Sequence, residues 1–388
     1  MKIGFSYNTA IQQLQQYVQK RTLEQYNNKP EFKTASQMPY ANNIQIADKA
    51  ERLILQLISH YLKNIEPEPK SFFKSGEIIP IPDIHGDFVH LITMLHKHVL
   101  LDNELNFNKD FTYLFLGDFY NRGKDANLVD YWLNKQISKG TKIYRIAGNH
   151  ELFFLARNAD GKTKITLRDP RDGKQIPIHA FDVENDMNNG YQITEELLNS
   201  IKTGNLLTAC TFLDAENNIP KLYSHTFVTS EDLGKLSVDK LDIVSFVQSA
   251  NERFKMAGTE SYQRFMDSKT TGKFDWEEIS EPIFKEPLFN IFYRDKNHRV
   301  DALFMRVTGL NNRLKIITEI NDNIPEGIYQ TVGHTKVTDF DLPDGVPINR
   351  PLILADKDSK AFVQFSDIAM GTYYSEDDIN RPEVFLNP

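Results

Sequence analysis

The chain has 388 residues, long enough for about two or three domains or for one large domain with appendages, and its 40% hydrophobic and 25% charged residues match an ordinary soluble globular protein. Lys+Arg 45 against Asp+Glu 53 gives a net charge of −8, which offers no global basic field for nucleic acid, and no apolar run reaches the roughly 18 residues of a membrane span. The single cysteine excludes an intramolecular disulfide and any thiolate-rich zinc or iron–sulfur site.

The first residues, MKIGFSYNTA, lack the apolar stretch of a Sec signal peptide, so a soluble protein without that address is expected. Residues 1–40 are rich in Gln, Asn, Lys and Tyr and carry only a weak helical pattern. From 42 to 65 the apolar positions Ile46, Ala50, Leu53, Leu57 and Tyr61 recur at spacings of three and four, which predicts an amphipathic helix. The segment EPEPK at 66–70 ends it, because proline removes a backbone donor and restricts its predecessor.

A unit of short apolar strand, polar loop and helical pattern then repeats three times. EIIPIP leads into Asp83-Ile84-His85-Gly86-Asp87, FTYLFL into Gly117-Asp118-Phe119-Tyr120-Asn121-Arg122-Gly123, and TKIYRIA into Gly148-Asn149-His150-Glu151. Strands alternating with helices predict βαβ units with mainly parallel pairing, which gathers the loops at the carboxyl ends of the strands. Residues 158–205 read as an excursion, with a hairpin or long loop in GKTKITLRDPRDGKQIPIHAFD and a helical piece in ITEELLNSIKTGNLLTACTFL. Cys210 in that apolar run has Glu216, not Arg, six positions on. A Cys-x5-Arg phosphatase loop is therefore absent, and the thiol is expected to be buried and structural. KLYSH is a strand ending in His225, 231–290 is largely helical, and RLKIITEI, IYQTVGHTKV, PLILAD and AFVQFSDIAM return to strand character.

Singly, each polar loop could be turn punctuation. As an ordered set, PDIHGD, GDFYNRG and GNHE, followed by His225 in YSHTF and His334 in VGHTKV, resemble the metal-dependent phosphoprotein phosphatase (PPP) family of the calcineurin-like metallophosphoesterases, over roughly residues 77–371. The resemblance implies an α/β fold (α+β by some schemes), a β-sandwich flanked by helices. It divides the chain into an amino-terminal helical arm over 1–70 and a catalytic domain over 71–388, with a mostly helical insertion at about 231–290. It also implies two divalent metal ions, most readily Mn, with Fe or Zn as alternatives; oxygen and imidazole donors suit all three without thiolates.

By the same resemblance Asp83 and His85 hold the first metal, Asp118 bridges, and Asn149, His225 and His334 hold the second. Metal-bound hydroxide would attack phosphorus in line, with no covalent enzyme intermediate. His150 maps to the general acid for the leaving oxygen, Glu151 to a loop-orienting role, and Arg122 to a phosphate clamp whose guanidinium can grip two oxygens. A second clamp is expected at Arg294, with Arg306 as the alternative. The sequence departs from the family at Asn121, where GDxxDRG has Asp, and at Pro82, where the first motif has Gly. An amide can orient the His150 ring but offers no charge to hold an imidazolium, so a weaker or acid-shifted general acid is expected.

The implied function is hydrolysis of phosphomonoesters on a phosphoprotein substrate, Ser/Thr phosphate favoured and phosphotyrosine open. The alternatives are a dinucleoside polyphosphate hydrolase and a catalytically silent interaction module. The unfamiliar insertions suggest a bacterial-type member, either cytoplasmic or an effector secreted into a host cell, with a host-protein partner on the arm or the cap. Neither nucleic acid nor a membrane span is expected.

Overall fold

The computed structural model describes residues 55, 56, 59, 62, 76–120, 126–155, 166–168, 175–177, 190–213, 220–228, 233, 242–286, 325, 327–333, 352–355 and 362–365. The amino-terminal arm lies outside them except at four helical positions, where Leu62 enters the core and Leu55 packs against it.

The three strand–loop–helix units form as the alternation predicts. Strands β1 (Ile78–Ile81), β2 (Thr112–Phe115) and β3 (Lys142–Arg145) pair in parallel in that order. Helices α1 (Phe88–Lys97), α2 (Ala126–Ser138) and α3 (Asn149–Leu155) follow them in turn. Asp87, the last residue of the first polar loop, caps α1 by accepting the His90 N–H at 3.0 Å, so this motif residue serves the turn from loop to helix.

Along β1 and β2 the sheet is covered on both faces, as parallel sheets are, while β3 exposes Lys142 and Tyr144. Along β1 and β2, Ile79, Ile81, Tyr113 and Phe115 join Phe88, Leu91, Val129 and Trp132 of the helices in the main core. The alternate residues Ile78, Leu114 and Leu116 meet Cys210, Phe212 and Tyr223 of a second sheet. Two sheets thus sandwich an apolar layer between them, with helices outside, in agreement with the expected α/β architecture.

The second sheet is built from β6 (Ala209–Leu213), β7 (Pro220–Ser224), β8 (Tyr329–Val332), β9 (Leu352–Ala355) and β10 (Phe362–Phe365), in the order β6-β7-β8-β10-β9. β7 with β8 and β8 with β10 are parallel; the two outer pairs are antiparallel. The segment LTACTFL is strand here rather than the end of a helical piece, because its residues pair with β7 and close the apolar layer. The preceding helix α4 (Gly190–Thr203) stops before it, and the expected hairpin is present as β4 (Thr166–Arg168) and β5 (Gln175–Pro177).

Between β7 and β8 lie α5 (Ile243–Thr271) and α6 (Trp276–Phe284), inside the segment expected to be a helical insertion. Asp242 and Asp275 cap their amino termini through the backbone N–H groups two and three residues on, and Gly272 closes α5 in the left-handed conformation at φ 70°. α5 packs along α4, and α6 touches α3. Asn251 on α5 pins the start of β6: its Oδ1 accepts from Thr208 N–H at 2.9 Å and its Nδ2 donates to Ala209 O at 2.9 Å. Among the described residues no helix is long and apolar enough to cross a membrane.

Candidate metal centre

Asp83 and His85 follow β1, Asp118 follows β2, Asn149 and His150 open α3 after β3, and His225 follows β7. Parallel pairing brings these strand ends to one edge. There the backbone takes up unusual conformations. His85 and Asp118 have φ values of 50° and 53°, in the left-handed region that costs a non-glycine residue on the order of 1 kcal/mol or more. The first two loops are tied together where the strain sits, since the Ile84 and His85 N–H groups donate to Asp118 O at 3.2 and 2.8 Å.

Both carboxylates turn one oxygen each way. Asp118 Oδ2 lies 3.8 Å from His85 Nε2 and 3.8 Å from His150 Nε2, while its Oδ1 lies 3.4 Å from His225 Nε2. Asp83 Oδ2 lies 3.8 Å from His85 Nε2, and its Oδ1 lies 3.9 Å from His225 Nδ1. The result is two groups of possible ligands, His85 with Asp118 and His150, and Asp83 with Asp118 and His225, in each of which the donor atoms lie within 4.8 Å of one another. Asp118 belongs to both, as a bridging carboxylate would. Asp83, expected in the first group only, reaches histidines of both.

The donor chemistry fits divalent cations. His225 Nδ1 meets Leu116 O at 2.8 Å, a contact that requires the ring nitrogen to donate and that in the neutral ring leaves the lone pair on Nε2. That atom faces Asn149 Oδ1 at 3.0 Å and Asp118 Oδ1 at 3.4 Å. Three buried acceptor atoms converge there, an arrangement that a cation satisfies, and the set contains only oxygen and imidazole donors.

Glu151 organises the loops without entering either group. Fully buried, it accepts from Gly148 N–H (2.7 Å), Asp118 N–H (2.8 Å), Phe119 N–H (2.7 Å) and Tyr120 N–H (3.3 Å). The bond to Gly148 is the backward half of a capping box at the start of α3, and the others splice the second loop onto the third. Burial first, then the charge of Asp118, push its carboxyl up to about 7, against the opposing pull of Gly148 N–H, His225 and Phe119 N–H. Asp118 in turn accepts the His150 N–H at 3.0 Å through Oδ1, placing a carboxylate at a helix amino terminus.

Glycine is required where these loops touch. A Cβ on Gly117, whose φ is 107°, would come within 2.7 Å of His225 Nδ1; one on Gly148 would collide with the Asp118 carboxylate, and one on Gly333 with Asp83 Oδ1. Neither Gly333 nor the Leu116 carbonyl is evident from the sequence motifs. A glycine directly after an apolar strand and before His334 was the available signal.

The structure brings together Asp83, His85, Asp118, Asn149, His150 and His225. Asn121, Arg122, Arg294, Arg306 and His334 lie outside the described residues. Of the other histidines, His90 sits beside Asp87 on α1, its pKa lowered by burial in spite of that carboxylate.

Residues 78–241 match the family model for calcineurin-like phosphoesterases. A Caenorhabditis elegans protein named, provisionally, as a serine/threonine-protein phosphatase is 31% identical over 100 residues, which is 26% of this chain and 20% of that protein. The matched stretch is thus a fifth of the relative's length. A cold-active protein-tyrosine phosphatase from a psychrophilic Shewanella species aligns over 77% of this chain and 73% of its own, at 15% identity and a TM-score of 0.37, an agreement too loose to carry an argument. The metallophosphoesterase fold implies divalent metal ions, and its ligand types stand together at the strand ends. Residues 78–241 of the chain are thus a calcineurin-like phosphoesterase domain.

Proposed function

We propose that the protein is a phosphoprotein phosphatase that works with two divalent metal ions, Mn first among them, and hydrolyses Ser/Thr phosphate in preference to phosphotyrosine. The observation that carries this reading is the single carboxylate, Asp118, shared by two groups of candidate ligands, with His85 on one side and Asp83 and His225 on the other. The short match to a relative named for serine/threonine phosphatase activity favours that substrate class.

The residues that would hold the ions are Asp83, His85, Asp118, Asn149 and His225, with His334 completing the set. Bound ions of this kind polarise phosphoryl oxygens and lower the pKa of water at neutral pH. The chain itself supplies orientation and proton transfer. Glu151 holds the Asp118 and Gly148 backbones so that the two loops keep their spacing. His150 presents its ring beside His85, the centroids 4.7 Å apart and nearly perpendicular, and only about a tenth of the residue is exposed. In this reading it gives the proton on Nε2 to the leaving oxygen, which needs the imidazole charged at the start of the step. Arg122 and Arg294 would grip the phosphoryl oxygens. The domain reading, an amino-terminal helical arm over 1–70 and a catalytic domain over 71–388 carrying α5 and α6 as a cap, belongs to the same proposal.

The test is a panel of peptides bearing phosphoserine, phosphothreonine or phosphotyrosine, with a dinucleoside tetraphosphate alongside, assayed with Mn2+ on wild type and His150→Ala. Turnover of phosphoserine and phosphothreonine peptides that His150→Ala lowers by about 10^2-fold or more is expected. Preferred turnover of the dinucleotide, or full activity in the variant, would overturn the assignment.

A further inference from the structure

We propose that Gln330 is a positioning residue of the metal centre, its side-chain amide standing in for the strand ladder that ends just before His225. The inference rests on the metal-centre reading above.

β7 and β8 pair in parallel from Lys221↔Tyr329 to Ser224↔Val332, and the ladder stops there. Residues 225–228 leave the sheet, turned by a bond from Ser224 Oγ to Thr226 O at 2.6 Å. Nothing in the ladder fixes this segment, yet it carries a histidine that must keep Nδ1 on Leu116 O and Nε2 toward Asn149 and Asp118. Gln330 closes the gap. From its place opposite Leu222, its Oε1 accepts Val228 N–H at 2.8 Å and its Nε2 donates to Val228 O at 2.8 Å. This pair of bonds to the N–H and C=O of one residue reproduces a β-bridge across a span of 102 residues.

The segment is therefore clamped at both ends, by the ladder at Ser224 and by Gln330 at Val228. The same strand delivers Gly333 against the Asp83 carboxylate. Gln330 thus couples the two strand ends that flank the site.

A glutamine with no exposed surface is costly unless both polar atoms are satisfied, and here the backbone N–H and C=O of Val228 satisfy both. Asn251 provides an internal control. It is also an amide that braces backbone by accepting and donating at once, but at the start of β6, a strand that itself carries no candidate ligand and meets the His225 segment only at the preceding pair, Ala209↔Ser224. If bracing stabilised the fold and nothing more, the two residues would behave alike.

The experiment compares Gln330→Glu, Gln330→Met and Asn251→Leu with wild type. Mn2+ affinity is measured by calorimetry on metal-stripped protein, and Tm is measured without metal. Gln330→Glu keeps the volume and the acceptor for Val228 N–H while setting a carboxylate against Val228 O, so it reports even if Gln330→Met does not fold.

Both Gln330 variants are expected to weaken Mn2+ binding about tenfold or more, as loss of a ligand-orienting partner does. Asn251→Leu should lower Tm and leave the affinity unchanged. Wild-type affinity in folded Gln330 variants, or an equal loss in Asn251→Leu, would overturn the inference. Wild-type protein that binds no Mn2+ would instead overturn the metal-centre reading beneath it.

Discussion

The loop edge above β1–β3 and the helical pair α5–α6 are built by opposite rules. In the helical pair the devices that start and stop the helices are local: Asp242 and Asp275 cap groups two and three residues away, Gly272 ends α5, and Arg264 pairs with Glu260 one turn back before reaching across to Glu281. At the loop edge the decisive contacts span 31 to 33 residues within the Glu151 clamp and 109 between His225 and Leu116, and they hold two non-glycine residues in left-handed backbone. Local consistency yields a scaffold that needs little else. Buried carboxylates facing one another beside strained backbone persist only where the surroundings over-determine them, which makes the loop edge a candidate site.

The sharpest way to break this contrast is at the shared carboxylate. Asp118→Asn should cut phosphatase activity on the order of 10^3-fold, about 4 kcal/mol of transition-state stabilisation, and lower the bound metal content, with circular dichroism unchanged. Glu151→Gln follows. It sets an NH2 group against one of several N–H donors, so it should cost about 1–3 kcal/mol in urea denaturation and slow turnover about 10–100-fold, both effects arising from the same loosened loops.

On the helical side, Asp275→Ala should cost about 1 kcal/mol and leave kcat and KM as they were. A fall in activity would mean that the contact of α6 with α3 carries strain into the site.

The smallest effect is expected at Cys210 in the apolar layer. Burial pushes its thiol up to about 12 from 9.0, so iodoacetamide at pH 8–9 should label it only once the chain unfolds. The folded state retains this proton where the unfolded chain loses it. The stability linked to Cys210 is therefore fully present below about pH 9 and is lost as the pH climbs toward 12. Rapid labelling of native protein would show that the layer between the sheets is open.

Much of the site was legible because its chemistry is written beside its topology. A strand-ending Asp-x-His, a Gly-Asp and a Gly-Asn-His each announce a ligand type and a turn in the same few letters, and parallel pairing carries them to one edge. The second sheet was harder. LTACTFL reads as well for a helix as for a strand, and only pairing with β7 and burial against Leu114 and Leu116 made it β6. Asp83 facing histidines of both groups was not legible either, since spacing names a ligand without fixing where each oxygen points.

The sequence by itself determined the candidate donors, their order along the chain and the exclusion of a thiolate-rich site, because residue type and strand–loop–helix periodicity are local properties. Tertiary structure decided what those donors face. It set Asp118 between two groups, chose the His225 nitrogen that faces the Leu116 carbonyl, and gave Gln330 the backbone N–H and C=O of Val228 to hold 102 residues away. Such contacts depend on which strand ends meet, and that follows from burying both faces of one sheet and the inner face of another, a condition that no local stretch of residues contains.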